Sequence, residues 1–101
     1  IRVASYVTAK SGLLGLTRAM ANDLAPHRIQ VNGIAPGYIA TENTRPLRED
    51  EDRNAAILGR IPAGRWGQPE DLQGAAVFLA SRASDYVSGS DLVVDGGWMA
   101  R

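Results

Sequence analysis

Apolar residues recur at spacings of three and four along the first quarter of the chain. Ala9, Leu13, Leu16, Met20 and Leu24 fall on one stripe. That period predicts an α-helix over residues 5–25, with Ser5 as its N-cap and Pro26 closing its last turn. A second face of the same helix carries only small residues: Gly12, Gly15, Ala19 and Ala21. Each interior glycine costs about 1 kcal/mol against alanine, so this face predicts close approach of another element, such as a second helix. The pattern then changes. Residues 29–35, Ile-Gln-Val-Asn-Gly-Ile-Ala, read as a short strand stopped by Pro36-Gly37. A long polar connection fills residues 37–69. Inside it, 47–60 has helical composition, with Ile57 and Leu58 its main apolar residues. The run Arg48-Glu49-Asp50-Glu51-Asp52-Arg53 reads as a solvated helix face. Pro69 suits a first helical position, and Glu70 and Asp71 suit the positive end of a helix dipole. A mostly buried helix is therefore predicted over 70–81, with Leu72, Ala75, Ala76, Phe78 and Leu79 inward. Residues 91–95, Asp-Leu-Val-Val-Asp, read as a second short strand closed by Gly96-Gly97.

The order is helix, strand, long excursion, helix, strand. Strands alternating with helices predict an α/β fold with a parallel sheet covered on both faces. Two strands are too few for such a sheet, so the missing strands are expected from elsewhere in the same polypeptide or from a partner. The composition agrees with a globular chain: 45% hydrophobic and 22% charged over 101 residues. Eleven Lys and Arg balance eleven Asp and Glu. No net field recruits nucleic acid or an anionic membrane. The chain has no cysteine, which excludes disulfides, thiolate metal sites and cysteine nucleophiles and fits a reducing, cytoplasmic setting. No apolar run approaches the roughly 18 residues of a membrane span. Ile1-Arg2-Val3-Ala4-Ser5-Tyr6 has neither the form of a signal peptide nor an initiator Met, so the chain is expected to begin inside a longer one.

Candidate chemistry begins at Tyr6 and Lys10, four apart and hence one turn apart on one helix face. A free phenol is a poor proton donor or acceptor at neutral pH. A neighbouring ammonium favours the phenolate, which makes the pair a sensible general acid/base unit. The pair sits in Tyr6-Val7-Thr8-Ala9-Lys10-Ser11-Gly12, followed by Gly15-Leu16-Thr17-Arg18. Then come Val31-Asn32, Pro36-Gly37-Tyr38-Ile39-Ala40-Thr41, Arg65-Trp66-Gly67-Gln68-Pro69-Glu70-Asp71 and Ala75-Ala76-Val77-Phe78-Leu79-Ala80-Ser81. Gly89 and Val94-Asp95-Gly96-Gly97 end the series. In that order and spacing, the whole chain resembles the C-terminal part of a short-chain dehydrogenase/reductase.

The resemblance implies the C-terminal portion of a single Rossmann-like domain, a doubly wound parallel sheet incomplete within residues 1–101. It implies an NAD(P)-dependent oxidoreductase, with NAD favoured, that interconverts a secondary alcohol and a ketone. By the same resemblance, Tyr6 exchanges the proton with the substrate oxygen. Lys10 binds the nicotinamide ribose and tunes Tyr6. Pro36 and Gly37 form the turn under the nicotinamide. Ile39 offers its backbone to the carboxamide, and Thr41 its hydroxyl to the carboxamide or pyrophosphate. The Gly-rich phosphate loop, the residue that selects NAD or NADP and the catalytic Ser would precede this region. Asn32 is expected to be structural. Where family members usually carry glycine in the turn before the strand, this chain has Arg28, and a positive φ there would strain it.

Residues of about 40–67 correspond to the family's variable substrate lid. Glu42-Asn43-Thr44-Arg45 and Arg60-Ile61-Pro62-Ala63-Gly64-Arg65-Trp66-Gly67 are most similar to the sugar-acid branch, of the 2-deoxy-D-gluconate 3-dehydrogenase kind. A sugar carboxylate needs a guanidinium with hydroxyl or amide partners. Asn43 and Thr44 are the expected substrate contacts, and Arg45, Arg53, Arg60 and Arg65 are candidate carboxylate partners. A 3-oxoacyl thioester or general carbonyl reductase is the alternative within the class. Exchanging residues 42–66 is expected to move substrate choice and leave cofactor use alone. His27, the single histidine, reads as a solvated turn residue, and Trp66 and Trp98 as core or subunit-contact residues. The resemblance also implies a homo-oligomer, dimer or tetramer, with the first helix at an interface. A chain of only these residues would be a non-catalytic oligomerisation fragment with no NAD(H) affinity.

Overall fold

The computed structural model describes residues 2–100. Among them the chain forms α1 (Arg2–Leu24), β1 (Gly33–Pro36), α2 (Arg45–Glu49), α3 (Glu51–Leu58), α4 (Gln73–Ala80) and β2 (Asp91–Val94). Short 3-10 turns lie at Ala25–His27, Glu42–Thr44, Pro69–Leu72, Arg82–Ser84 and Trp98–Ala100. The two strands pair. The Gly33 N–H donates to the Ser90 carbonyl at 2.9 Å, and four residues later the Gly37 N–H donates to the Val94 carbonyl at 3.0 Å. Both strands therefore advance in the same direction, the parallel pairing expected of an α/β sheet. Contacts divide the chain into two compact units: Ile1–Gly33 with Phe78–Leu92, and Ile34–Val77 with Val93–Arg101. No helix among the described residues is long and apolar enough to cross a membrane.

In the first unit α1 begins at Arg2, so Ser5 lies inside the helix and is not its N-cap. The helix ends at Leu24, and Pro26 sits in the first turn of the 3-10 segment that follows. Arg28 then adopts φ 59, ψ 34, the left-handed conformation, with its N–H donating to the Ala25 carbonyl. The predicted strand starts four residues late, at Gly33, because side chains claim the segment before it. Asn32 Nδ2 donates to the Val87 carbonyl at 2.8 Å, and its Oδ1 accepts from the Ser90 N–H at 3.1 Å. Gln30 Nε2 donates to the Asp85 carbonyl at 3.0 Å. Asn32 thus bolts the start of β1 to the approach of β2.

The apolar stripe of α1 is uncovered. Leu13 is 57% exposed, Leu16 53% and Met20 40%. On the small face, Ala21 is the one buried residue of α1 among those described, next to Gly89, where a Cβ would lie 3.4 Å from the Ala21 methyl. A Cβ on Gly12 or Gly15 would meet open space, so no described residue approaches the face closely at these two glycines.

The helix predicted over 70–81 is divided. Its first turn is the 3-10 segment Pro69–Leu72, and α4 follows from Gln73. It is also less buried than predicted: Ala75 is buried, Ala76 is exposed and Val77 is 67% exposed. An all-round apolar helix needs cover on more than one side. In the second unit the helix expected over 47–60 is also split. Asp50 takes an extended conformation between α2 and α3, and its carboxylate accepts from the Arg53 N–H at 3.1 Å. The acidic run therefore contains a helix start, with Glu51 and Asp52 in the first turn where negative charge is favoured.

Candidate functional site

Tyr6 and Lys10 stand one turn apart on α1, as their spacing requires. The Lys10 ammonium lies 5.5 Å from the centroid of the Tyr6 ring, within cation–π range. Tyr6 is 64% exposed, so its ring and hydroxyl are available to a bound molecule. The neighbouring Thr8 hydroxyl is turned to the backbone, donating from Oγ1 to the Ala4 carbonyl at 2.8 Å.

The remaining predicted site residues follow one another in the second unit. Pro36 ends β1, and Gly37 bonds to Val94 as described. Gly37 is required by packing inside the chain, since a Cβ would sit 2.7 Å from both Cα and Cβ of Asp95. Asp95 is fixed in turn: its carboxylate accepts from the Gly97 N–H at 2.8 Å and the Met99 N–H at 2.9 Å. Beyond Gly37, Ile39 forms a parallel bridge with Gly67. The Gly67 N–H donates to the Tyr38 carbonyl at 2.9 Å, and the Ala40 N–H donates to the Gly67 carbonyl at 2.8 Å. In such a bridge the N–H and C=O of the central residue point away from the partner strand. The Ile39 carbonyl accepts from Thr44 Oγ1 at 2.7 Å. Its N–H makes no hydrogen bond among the described residues.

Thr41 begins the excursion. Its N–H donates to Thr44 Oγ1 at 3.0 Å, and its carbonyl accepts from the Arg48 guanidinium at 2.7 Å. The Thr44 hydroxyl therefore closes this turn on its own backbone, whereas Asn43 is exposed. Arg45 pairs with Glu42 across one helical turn at the surface.

The returning end of the excursion holds Arg60 and Arg65, candidate carboxylate partners, beside residues that the sequence does not assign to the site. Trp66 is 9% exposed, and its indole N–H donates to Asn54 Oδ1 at 2.6 Å. The Tyr38 ring meets Trp66 edge-on at 5.4 Å and Trp98 at 4.8 Å, spacings typical of favourable aromatic pairs. The Arg60 guanidinium lies 4.2 Å over the Trp98 ring. Trp66 is thus a core residue of this unit, and Trp98 is half-buried between Tyr38 and Arg60. Arg65 grips Asp71 with two bonds, Nη1 to Oδ2 at 2.7 Å and Nη2 to Oδ1 at 2.9 Å, and Nη1 also donates to the Trp66 carbonyl at 3.0 Å. Asp71 Oδ2 further accepts from the Gln68 N–H at 2.7 Å. The Arg65 bonds and then the Gln68 N–H hold the Asp71 carboxyl down to about 2, and Asp71 raises Arg65 in return. A cavity of about 130 Å³ opens here, lined among others by Tyr38, Ile39, Arg65, Gly67 and Asp71. The sequence signal for this clamp was Asp71 three residues beyond Gln68, the reach of an N-terminal helix cap. As a charge suited to a helix dipole alone, Asp71 does not reveal the clamp.

In the first unit an exposed phenol–ammonium pair stands on one helix face. In the second, a glycine that admits no side chain precedes a backbone N–H without a partner among the described residues. The parallel pairing of the strands and the order of the motifs define a class. The chain belongs to the short-chain dehydrogenase/reductase family: residues 2–99 match the family model described as enoyl-(acyl carrier protein) reductase. Its fold is accordingly part of a doubly wound α/β sheet of the Rossmann type.

Within that family the similarity is to enzymes of sugar acids. The 2-dehydro-3-deoxy-D-gluconate 5-dehydrogenase of Dickeya dadantii (strain 3937) is 64% identical over the full length of this chain, which spans 40% of that protein. The enzyme of the same name from Escherichia coli (strain K12) is 65% identical with the same coverage. Among solved structures, a gluconate 5-dehydrogenase from Burkholderia cenocepacia J2315, in complex with NADP and tartrate, superposes with a TM-score of 0.91 at 48% identity. That match covers 95% of this chain and 38% of the other.

Proposed function

We propose that the whole protein is an NAD(P)-dependent oxidoreductase that interconverts a secondary alcohol and a ketone on a sugar acid. The observation that carries this reading is the exposed Tyr6–Lys10 pair on α1, in a chain whose full length aligns with sugar-acid dehydrogenases. The names of similar proteins divide between reaction at C-5 of a deoxygluconate or gluconate and the C-3 reaction of 2-deoxy-D-gluconate expected from the lid residues, and the proposed reaction covers both. For the nucleotide, the preference for NAD gains no support, since NADP is the cofactor named with the Burkholderia relative.

When bound, the nicotinamide supplies or accepts the hydride. Tyr6 holds the reacting oxygen and passes its proton, with Lys10 one turn away to hold ribose hydroxyls and offset negative charge on the phenol. The Ile39 N–H holds the carboxamide, and Pro36-Gly37 set the turn that presents it. Thr41 offers its hydroxyl to the carboxamide or pyrophosphate. Residues 40–67 cover the substrate, with Asn43 exposed to meet it and Thr44 shaping the turn beside it. The uncovered stripe of α1 supports a homo-oligomer.

The test is turnover of 2-dehydro-3-deoxy-D-gluconate, gluconate and 2-deoxy-D-gluconate with NAD(H) and NADP(H), for the wild type and Tyr6→Phe. Loss of a general acid/base costs about 10²–10⁴-fold. Tyr6→Phe should lose kcat on that scale and keep nucleotide binding. Wild-type kcat in Tyr6→Phe, or no turnover of any sugar acid by the wild type, would sink the reading.

A further inference from the structure

The excursion between Thr41 and Gly67 leaves and returns at the same place, because Gly67 pairs back onto Tyr38 and Ala40. Gly67 lies close against Ile39 there: a Cβ would come 2.5 Å from Ile39 Cδ1, so the Ile39 side chain would have to turn away. The conformation of residues 65–71 therefore decides whether Gly67 meets Ile39. Four hydrogen bonds of the Arg65–Asp71 pair fix that conformation, and they tie the guanidinium to Trp66 on one side and the carboxylate to Gln68 on the other.

We infer that Arg65 and Asp71 are positioning residues for the nucleotide: their clamp holds Gly67 against Ile39 and so aims the Ile39 N–H at the carboxamide. The inference rests on the function proposed above and deepens it. It also withdraws Arg65 from the candidate partners of a substrate carboxylate. Both terminal nitrogens of Arg65 already face Asp71 in a forked pair, and a substrate carboxylate would have to displace an intramolecular one. A fork of this kind is specific to arginine, because a lysine ammonium is a point charge that cannot make both bonds and reach the Trp66 carbonyl. The clamp touches neither reacting atom. Its effect reaches the site through the backbone, as the fraction of time the Ile39 N–H stands in the binding geometry. Apparent affinity falls in proportion to that fraction.

The experiment is a titration of the whole protein with NADH and NADPH, followed by nucleotide fluorescence. Wild type, Arg65→Lys, Arg65→Met, Asp71→Asn and the Arg65→Met/Asp71→Asn double variant are compared. If clamp loss leaves the turn competent about a tenth of the time, Kd rises about tenfold. The two neutralising single variants should show this rise, the double variant no more than either, and Arg65→Lys an intermediate one. At saturating nucleotide, the sugar-acid KM should stay at the wild-type value and kcat should fall less than Kd rises. An unchanged nucleotide Kd in variants that still melt cooperatively overturns the clamp. So does a raised sugar-acid KM with unchanged nucleotide Kd, which would make Arg65 a substrate contact after all. A wild type that binds neither nucleotide refutes the proposed function and takes this inference with it.

Discussion

Arg28 sits at φ 59, ψ 34, where the Cβ of an L-residue crowds its own backbone at a cost of about 1–2 kcal/mol. Nothing in its surroundings demands the side chain, since Arg28 is exposed and its described bond is from its N–H. Arg28→Gly removes the crowding and returns part of the gain as extra unfolded-state freedom. We expect a net stabilisation of about 0.5–1 kcal/mol, read as a higher midpoint in urea. A lower midpoint would show that the guanidinium has a role the backbone conceals. This position was legible in advance, because the family pattern called for glycine there. Ser5 was not. A serine near a helix start has the chemistry of a cap, and only the helical backbone from Arg2 onward shows that it lies in the interior. Tyr6 and Lys10 were legible as a facing pair from spacing alone. The unpartnered N–H of Ile39 was legible only through the resemblance, because it depends on a bridge to a residue 28 positions away.

Among the elements, the turn over residues 65–71 carries a defined electrostatic signature. Asp71 stands at about 2, below an ordinary carboxyl near 3.9. Between those values the unfolded chain binds more protons than the folded one, so stability from this group rises with pH. It is complete above about pH 5 and lost as the pH falls through the folded value. The stability difference between wild type and Asp71→Asn should therefore be constant from pH 5 to 8 and shrink toward zero near pH 2. Melting curves across that range check it, and a difference independent of pH would mean the carboxylate charge is not what holds the turn. The elements themselves were mostly foreseen, and the misses share a cause. The predicted strand at 29 and helices at 47 and 70 each include near their start a residue whose side chain bonds to backbone: Asp50 and Asp71 three residues away, and Asn32 to the distant Ser90. Hydropathy patterns carry the apolar face and are blind to such competition for backbone groups.

For the molecule as a whole, the governing fact is how little of the apolar surface is covered. Leu13 and Leu16 on α1, Val77 on α4 and Val93 on β2 are each at least half exposed. The sequence foresaw this shortage, because two strands cannot cover the helices of a doubly wound sheet. A polypeptide of residues 1–101 alone should bind a hydrophobic dye strongly and associate as its concentration rises. Dye fluorescence and sedimentation give the answer, and a monodisperse, dye-silent monomer would show that these faces find cover within the chain. The relatives, of which this chain spans about 40%, have the additional length to supply such cover.

The bridge of Ile39 to Gly67 has a further consequence, for evolution. It makes everything between its two ends a closed loop hung from a fixed hem. Lengthening a closed loop is cheap, about 0.6 kcal/mol for each doubling. Mutation can therefore add, delete or rewrite residues inside the span, short of the Arg65–Asp71 clamp that closes it, and the cost falls on the loop while the hem stays registered. A family that keeps one chemistry and changes its substrates needs such a seam, with the part that varies sewn to the part that cannot.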